Sequence, residues 1–265
     1  MNVDLLKRLC ETPGVPGREE RVRALIEKEV KGLFDSVETD AMGSLICRRK
    51  PRGKDNKANT AADAKVVMLL CHMDEIGFYV SHVNDDGFLW VNNAGGFDTR
   101  NLFSRRVLVC TDGGDIHAVM NPGGKPVHIA SQDDRKKVPE KHEMWIDIAV
   151  ADKAKALELV AIGDVATYDH ELQLINGSVA AARAFDNKAG ASVMLATLRA
   201  LKQANVTPPV DMYWLFTITE EVGQGAASVL LPDIASLVAI DNGTTAPGQA
   251  SDEFGVTISM ADMTG

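Results

Sequence analysis

The chain has 265 residues, of which 45% are hydrophobic and 25% are charged, and its formal net charge at pH 7 is −9. This length supports one large domain or two smaller ones with a full apolar core, and no apolar run approaches the roughly 20 residues that a membrane helix requires. The acidic balance and the lack of clustered Lys and Arg argue against nucleic acid as a partner, because binding of a phosphate backbone depends on such clusters.

The N-terminus and the cysteines predict the cellular compartment. The first residues enter an amphipathic helical pattern at once and lack the features of a secretory signal. The four cysteines are far apart and form no CxxC pair. This spacing predicts reduced core residues, with neither a disulfide framework nor a cysteine zinc site. We therefore expect a cytoplasmic protein without a membrane segment.

The first part of the chain predicts helices followed by a buried strand. Apolar residues recur at helical spacing in 5–9 and again in 22–30, which predicts two amphipathic helices. Residues 50–65 are polar and without periodicity, which predicts an exposed loop. The continuous apolar run 66–71 has the length of a strand buried on both faces of a parallel sheet, and it ends at His72.

The middle of the chain has a different pattern. Short runs rich in β-formers at 77–83, 88–91, 106–110 and 116–120 are separated by Asp-Gly and Gly-Gly turn signals. Such spacing predicts β-hairpins and not strand–helix–strand units. We therefore expect a β-rich insertion that extends from about residue 75 to about residue 174.

An α/β pattern returns after the insertion. A helix is predicted over 189–201, directly after Asp186 and Asn187, which are both acceptable helix-capping residues. A strand over 210–218 and a second buried strand over 237–240 follow, with a short helix at 225–230 between them. The predicted fold class is therefore α/β with an inserted β-rich domain.

Residues of metal-ligand type stand at the ends of these predicted elements: His72, Asp74, Asp186, Glu220, Glu221 and Asp241. In open parallel sheets, ligands bind outside the carboxyl ends of the strands. One imidazole and several carboxylates suit two ions of the zinc or cobalt type, with one bridging carboxylate and open positions for water. We therefore expect these side chains to converge on one two-metal site.

Each residue also has a structural interpretation: a hydrogen-bonded strand-end histidine, a charged turn at Glu220 and Glu221, and cap or turn roles for the aspartates. Asp74 favours the metal site, because a carboxylate two residues after His72 in an extended chain is able to accept the imidazole N–H and fix its tautomer. Consecutive extended residues point in opposite directions, so one glutamate is free to bind metal while the other acts as general base. The ordered set favours a metal site.

Several motifs together resemble metallopeptidase family 42, the tetrahedral or glutamyl aminopeptidases. They are CHMDEIGF at 71–78, GKPVH at 124–128, IGDV at 162–165, FDNKAG at 185–190, TEEVG at 219–223 and ID at 240–241. The resemblance implies an exopeptidase that removes N-terminal residues from short peptides and assembles as a homo-oligomer, usually a dodecamer. It also implies a zinc-exopeptidase-like, mostly parallel sheet flanked by helices in a catalytic domain of residues 1–74 and 175–265. Residues 75–174 are then the oligomerisation domain.

The resemblance assigns a role to each residue of the expected site. His72 and Asp241 bind one divalent ion, Asp186 bridges both ions, and Glu221 binds the other. Glu220 is the general base, which takes a proton from the attacking water and returns it to the leaving amine. The ions are zinc or cobalt, and such ligands also accept manganese. The resemblance names Asp74 as a catalytic residue beside Glu220, because Asp74 orients the imidazole of His72.

The sequence departs from the family pattern in two places. One residue, Gln224, separates Gly223 from Gly225, where many family members have two. The family takes its last metal ligand from a histidine near the C-terminus, whereas this sequence has no histidine after His170. We therefore expect that the chain lacks a C-terminal segment of the family.

Two other functions remain open at this point. A related two-metal exopeptidase or deacylase uses the same order of ligands, but its extra domain usually lies elsewhere in the chain. A catalytically silent scaffold protein of the same fold is the other alternative, and the missing histidine favours it. The sequence does not determine which N-terminal residue a peptidase of this kind prefers.

Overall fold

The computed structural model describes residues 2–52, 64–126, 128–206, 208–229, 233–249, 251–252 and 254–259. The α-helices of this part are α1 (Val3–Glu11), α2 (Glu20–Val30), α3 (Gln132–Lys136), α4 (Lys153–Leu157) and α5 (Phe185–Gln203). The strands are β1 (Ser36–Thr39), β2 (Leu45–Arg49), β3 (Val66–His72), β4 (Gly77–Val83), β5 (Leu89–Ala94), β6 (Arg105–Thr111), β7 (Gly114–Pro122), β8 (Met144–Asp147), β9 (Val165–Tyr168), β10 (Gln173–Ile175), β11 (Val179–Ala181), β12 (Asp211–Thr217) and β13 (Ile234–Ala239). No helix in these ranges has the length and apolar character needed to cross a bilayer.

The predicted α/β fold class is confirmed. Within the described residues, the main sheet has the strand order β1-β2-β12-β3-β13. Strands β12, β3 and β13 run parallel to one another, as the apolar runs of the sequence predict. Strands β1 and β2 extend the sheet at one edge with antiparallel pairings that the sequence did not predict. The carboxyl ends of the parallel strands lie at one edge, where a site is expected.

One face of the sheet packs against α1, α2 and α5. Leu5 of α1, Ile26 of α2 and Leu195 of α5 are buried with Trp214 of β12 in one apolar cluster. Both N-terminal helices were predicted from apolar spacing, and their buried residues occupy the predicted positions. Burial of such large side chains is the main stabilising contribution to this layer.

The prediction that the last strand is buried was wrong. Leu237 and Val238 of β13 are 45% and 49% exposed. Strand β13 pairs with β3 along one edge, and within the described residues no strand pairs with its other edge. Burial of a strand depends on the elements that cover its faces, and five of the six residues of β13 are exposed in the described part of the chain. The predicted helix at 225–230 is a 3₁₀ turn over Gly225–Ser228.

The middle of the chain forms a closed barrel with the strand order β4-β5-β8-β7-β6-β9. Its neighbouring strands are antiparallel, which confirms the predicted hairpins. Phe78, Val107, Met120 and Ile146 are among the buried side chains of its interior. The division into domains at 1–74, 75–174 and 175–265 stays a prediction, as does the oligomerisation role of the insertion. Of the loop predicted at 50–65, residues 53–63 lie outside the described part.

Candidate metal centre

His72, the last residue of β3, is the centre of the candidate site and is 2% exposed. Its Nε2 atom lies 2.9 Å from Oδ1 of Asp186. The same nitrogen is 3.7 Å from Oε2 of Glu220 and 3.9 Å from Oδ1 of Asp241. Three chain segments that are distant in sequence therefore bring carboxylates to one imidazole nitrogen.

The sheet register explains why Asp241 meets His72. Ala239 of β13 is paired with Leu70 of β3, so residue 241 lies level with residue 72. The amide of Ile240 continues the ladder by donating to the carbonyl of Leu70 at 2.8 Å. Two parallel neighbours in this register end together, and their terminal side chains face the same crevice.

Three side chains each offer one ligand atom within 4.8 Å of the others, namely His72, Asp186 and Asp241. Imidazole and carboxylate donors in such a cluster fit a divalent transition metal. Of the four ligands that the sequence predicts, Glu221 lies outside this group.

Asp74 connects the imidazole to the turn that follows β12. Its carboxylate is fully buried and accepts hydrogen bonds from the amides of Glu220, at 3.2 Å, and Glu221, at 3.0 Å. Its Oδ1 lies 3.4 Å from Nδ1 of His72, a buried atom with no closer partner in the described part of the chain. A carboxylate on the second imidazole nitrogen favours the tautomer whose Nε2 is free to bind a cation.

Glu220 and Glu221 are not extended, contrary to the sequence expectation. They lie in a 3₁₀ turn over Glu220–Val222, which follows Thr219 in a left-handed conformation with φ of 53°. The two hydrogen bonds to Asp74 favour this turn over an extended chain. The side chains still separate: Glu220 approaches His72, while Oε2 of Glu221 lies so close to Gly95 that a Cβ there would be 3.2 Å away.

The start of α5 leaves Asp186 available to the site. Asp186 and Asn187 have non-helical backbone angles, so regular helix begins at Lys188. The capping role suggested for this position belongs to Asn187, whose Oδ1 accepts from the amide of Gly190 at 3.1 Å. The Asn187 amide group also donates to the carbonyl of Ile240 at 2.8 Å. Asp186 does not cap the helix, and its carboxylate points to His72.

The electrostatics of the site favour binding of a cation. Burial and the nearby Asp186 carboxylate raise the pKa of Glu221 to about 7. Burial is also the largest cause of the raised pKa values of Glu220 and Asp241. Burial opposes protonation of His72, but the neighbouring carboxylates of Asp186 and Asp74 outweigh it and raise the imidazole pKa to about 10. A divalent ion would replace these protons and relieve the repulsion between the carboxylates.

Three residues that contribute to the site were missed from the sequence. Glu19 is buried, and its Oε1 accepts from the amides of Gly17, at 2.9 Å, and Thr219, at 3.1 Å. Glu75 is buried beside Asp74 and pairs with cationic side chains. Gly95 has a φ of 85°, and a Cβ at this position would lie 3.2 Å from the Glu221 carboxylate. The adjacent acidic residues Asp74 and Glu75 were the one signal in the sequence that pointed to Glu75. The contacts that connect Glu19, Glu75 and Gly95 to the site are with residues distant in sequence, so no local pattern reveals them.

Comparison with known proteins gives consistent matches. The model of the M42 glutamyl aminopeptidase family matches residues 56–265. A curated protein of Acetivibrio thermocellus is 32% identical over 90% of this chain and 65% of its own length. An aminopeptidase of the archaeon Desulfurococcus kamchatkensis has a solved structure with 32% identity and a TM-score of 0.81, over 95% of this chain and 66% of that chain. The TET1 peptidase of Pyrococcus horikoshii follows with 29% identity and a TM-score of 0.76, over 90% of this chain and 68% of that chain. The chain thus spans about two thirds of the length of these relatives.

Proposed function

This chain belongs to the M42 glutamyl aminopeptidase family, and on that basis we propose that it is a metal-dependent aminopeptidase that removes N-terminal residues from short peptides. The observation that carries the proposal is the convergence of His72, Asp186 and Asp241 to within 4.8 Å at the carboxyl edge of the parallel strands. Family membership also favours this function over that of a related deacylase with the same order of ligands.

We infer a binuclear centre. In this proposal His72 and Asp241 would hold one divalent ion, Glu221 would hold the second, and Asp186 would be shared between them. The donor chemistry fits zinc or cobalt, and manganese is the third candidate. The position of Asp74 at Nδ1 of His72 supports the assignment, because metal-binding imidazoles commonly have a carboxylate on the other ring nitrogen.

Bound ions of this kind lower the pKa of a water molecule and polarise a peptide carbonyl. Glu220 is the proposed general base, which accepts a proton and returns it to the leaving amine. Its side chain is 48% exposed and its Oε2 lies 3.7 Å from Nε2 of His72, so the carboxylate reaches the cluster and stays open to solvent. Burial raises its pKa, which brings the carboxyl closer to the range in which it both takes up and releases a proton. Asp74 accepts a hydrogen bond from the amide of Glu220 and thereby fixes the orientation of Glu220.

We further propose that the protein is a homo-oligomer, with the dodecamer as the expected form. The TET1 peptidase of Pyrococcus horikoshii, a structural relative, assembles into a tetrahedron or a large octahedral shell. The barrel within residues 75–174 is the proposed oligomerisation domain, and residues 1–74 and 175–265 form the proposed catalytic domain.

The test combines metal content per chain with hydrolysis of a panel of aminoacyl p-nitroanilides. Asp186→Asn is expected to lose both metal and activity, because it removes the bridging carboxylate. Glu220→Gln is expected to keep its metal and to lose activity, because it removes the base only. Glu158→Gln is the matched control, since Glu158 is exposed and pairs with Lys155 far from the cluster in sequence.

Three outcomes separate the alternatives. Two metals per chain with cleavage of the panel, both lost in Asp186→Asn, support the aminopeptidase. Metal loss in Glu220→Gln contradicts the role of general base and assigns this residue to the ligands. A folded, assembled protein that holds no metal and cleaves no substrate contradicts the proposal and supports the silent scaffold.

A further inference from the structure

Glu75 is the centre of a buried charge cluster beside the proposed metal site. Its carboxylate is 2% exposed, and its Oε1 accepts from the amide of Gly14 at 3.0 Å and from Nζ of Lys188 at 2.9 Å. Its Oε2 accepts from the hydroxyl of Thr167 at 3.2 Å and from the guanidinium of Arg183. All hydrogen-bonding capacity of this carboxylate is used inside the protein, by Gly14, by Thr167 and by two residues of the segment 183–188.

Lys188 joins this cluster to the start of α5. Its side chain is fully buried, and its Nζ donates to the carbonyl of Thr12 at 2.6 Å as well as to Glu75. Burying an ammonium costs free energy even when it is paired, and an apolar side chain of similar size often stabilises a protein equally well. Core stability therefore does not explain why residue 188 carries a charge. A need to hold the start of α5 in one place does explain it.

The position concerned is that of Asp186. Glu75 directly follows Asp74, which contacts His72, and Lys188 is two residues after Asp186. The Glu75–Lys188 ion pair thus connects the segment that follows His72 to the segment that carries Asp186. We propose that Glu75 and Lys188 form a clamp that positions the Asp186 carboxylate against the imidazole of His72. Both are positioning residues, since neither contacts the proposed ligand atoms.

The test variant is Lys188→Met, which removes the clamp and leaves Glu75 well paired. Glu75 keeps Arg183, Thr167 and the Gly14 amide, so the fold is expected to survive. The matched control is Arg48→Met. It removes a cation from another ion pair, Arg48 Nε to Asp211 Oδ1 at 3.0 Å, at the first residue of β12, whereas Glu220 lies beyond its last residue.

The first readout is the crystal structure of the metal-free protein. In Lys188→Met the distance from His72 Nε2 to Asp186 Oδ1, 2.9 Å in the native chain, is expected to lengthen beyond about 3.5 Å, the limit of a hydrogen bond. In Arg48→Met it is expected to stay at its native value. A Lys188→Met protein that keeps the native distance overturns the clamp. Glu75→Gln, which keeps the side-chain shape, is the second variant and is expected to lengthen the same distance if Lys188→Met does not fold.

The second readout is affinity for Zn²⁺ or Co²⁺, measured by competition with a chromophoric chelator below the unfolding range of each variant. Loss of a residue that orients a ligand typically weakens metal binding about 10–100-fold, and we expect this for Lys188→Met but not for Arg48→Met. Equal affinity in both variants, with lower thermal stability only, assigns the ion pair a purely structural role. This readout rests on the proposed function. A native chain that binds no metal refutes that function, while the metal-free distance still decides the clamp.

Discussion

Replacing Asp74 by asparagine tests how the turn over Glu220–Val222 is held. The Asp74 carboxylate accepts from the amides of Glu220, at 3.2 Å, and Glu221, at 3.0 Å. Asparagine has nearly the same size, but it offers one oxygen acceptor and one amide donor group. One of the two backbone amides would therefore face a donor and lose its partner.

The cost follows from these two contacts. An amide left without an acceptor costs about 1–3 kcal/mol, and loss of the charge from the remaining hydrogen bond costs about 1 kcal/mol more. The expected loss of unfolding free energy is therefore about 2–4 kcal/mol. With an unfolding entropy of about 2.1 cal/mol/K per residue over 265 residues, the melting temperature falls by about 4–7 °C.

The assay is thermal unfolding by circular dichroism, in chelator and at one protein concentration, because metal binding and assembly both shift the transition. Asp98→Asn is the control. Asp98 accepts from the amide of Arg100 at 3.0 Å and also pairs with the Arg100 guanidinium at the surface. Asparagine is an equally good cap, and loss of an exposed ion pair costs at most about 1 kcal/mol. If Asp74→Asn melts no lower than Asp98→Asn, the two hydrogen bonds of Asp74 do not hold the turn.

Four further predictions concern the surroundings of the site. Gly95→Ala is expected to lower the free energy of unfolding by about 1–3 kcal/mol, because Gly95 has a φ of 85° and a Cβ there would clash with Ile76. The control Gly96→Ala has open space for a Cβ and should melt like the native chain, so equal melting temperatures of the two variants would contradict the prediction. Asn187→Ala loses the hydrogen bond to the Ile240 carbonyl and should unfold at a lower urea concentration, with a loss of about 1–3 kcal/mol in unfolding free energy. An unchanged urea midpoint would show that this hydrogen bond does not stabilise the fold. Burial opposes ionisation of Glu75, but two neighbouring cations outweigh it and lower its pKa below the ordinary 4.5. The ionised carboxylate therefore stabilises the fold fully above pH 4.5, and this stabilisation is lost as the pH falls through the native pKa. Glu75→Gln should flatten the acid side of a plot of unfolding free energy against pH, and a plot parallel to that of the native chain would contradict this. All four cysteines are buried, with pKa values raised by burial, so a thiol reagent at pH 8 should label them slowly in the folded protein and fully in urea; rapid native labelling would disprove their burial.

Local patterns in the sequence predicted the elements that carry the site. Apolar runs and capping residues located β3, β12, β13 and α5 to within a few residues, and with them the strand-end positions of His72 and Asp241. These signals are local because an apolar run or a helix cap depends on neighbours within a few residues. The same logic failed for the exposure of β13, because burial depends on which other elements cover a strand.

The roles of individual polar side chains were decided by tertiary packing. The sequence offered both Asp186 and Asn187 as helix caps, and packing decided that Asn187 takes this role while Asp186 turns to His72. Glu75 finds Gly14 and Lys188 at separations of 61 and 113 residues, and Glu19 finds Thr219 at 200. No local pattern encodes such pairs. The sequence alone determined the family, the α/β class and the ordered set of ligand-type residues, whereas the folded chain decided which carboxylates face the imidazole and which only hold them, because those contacts exist only after distant segments pack together.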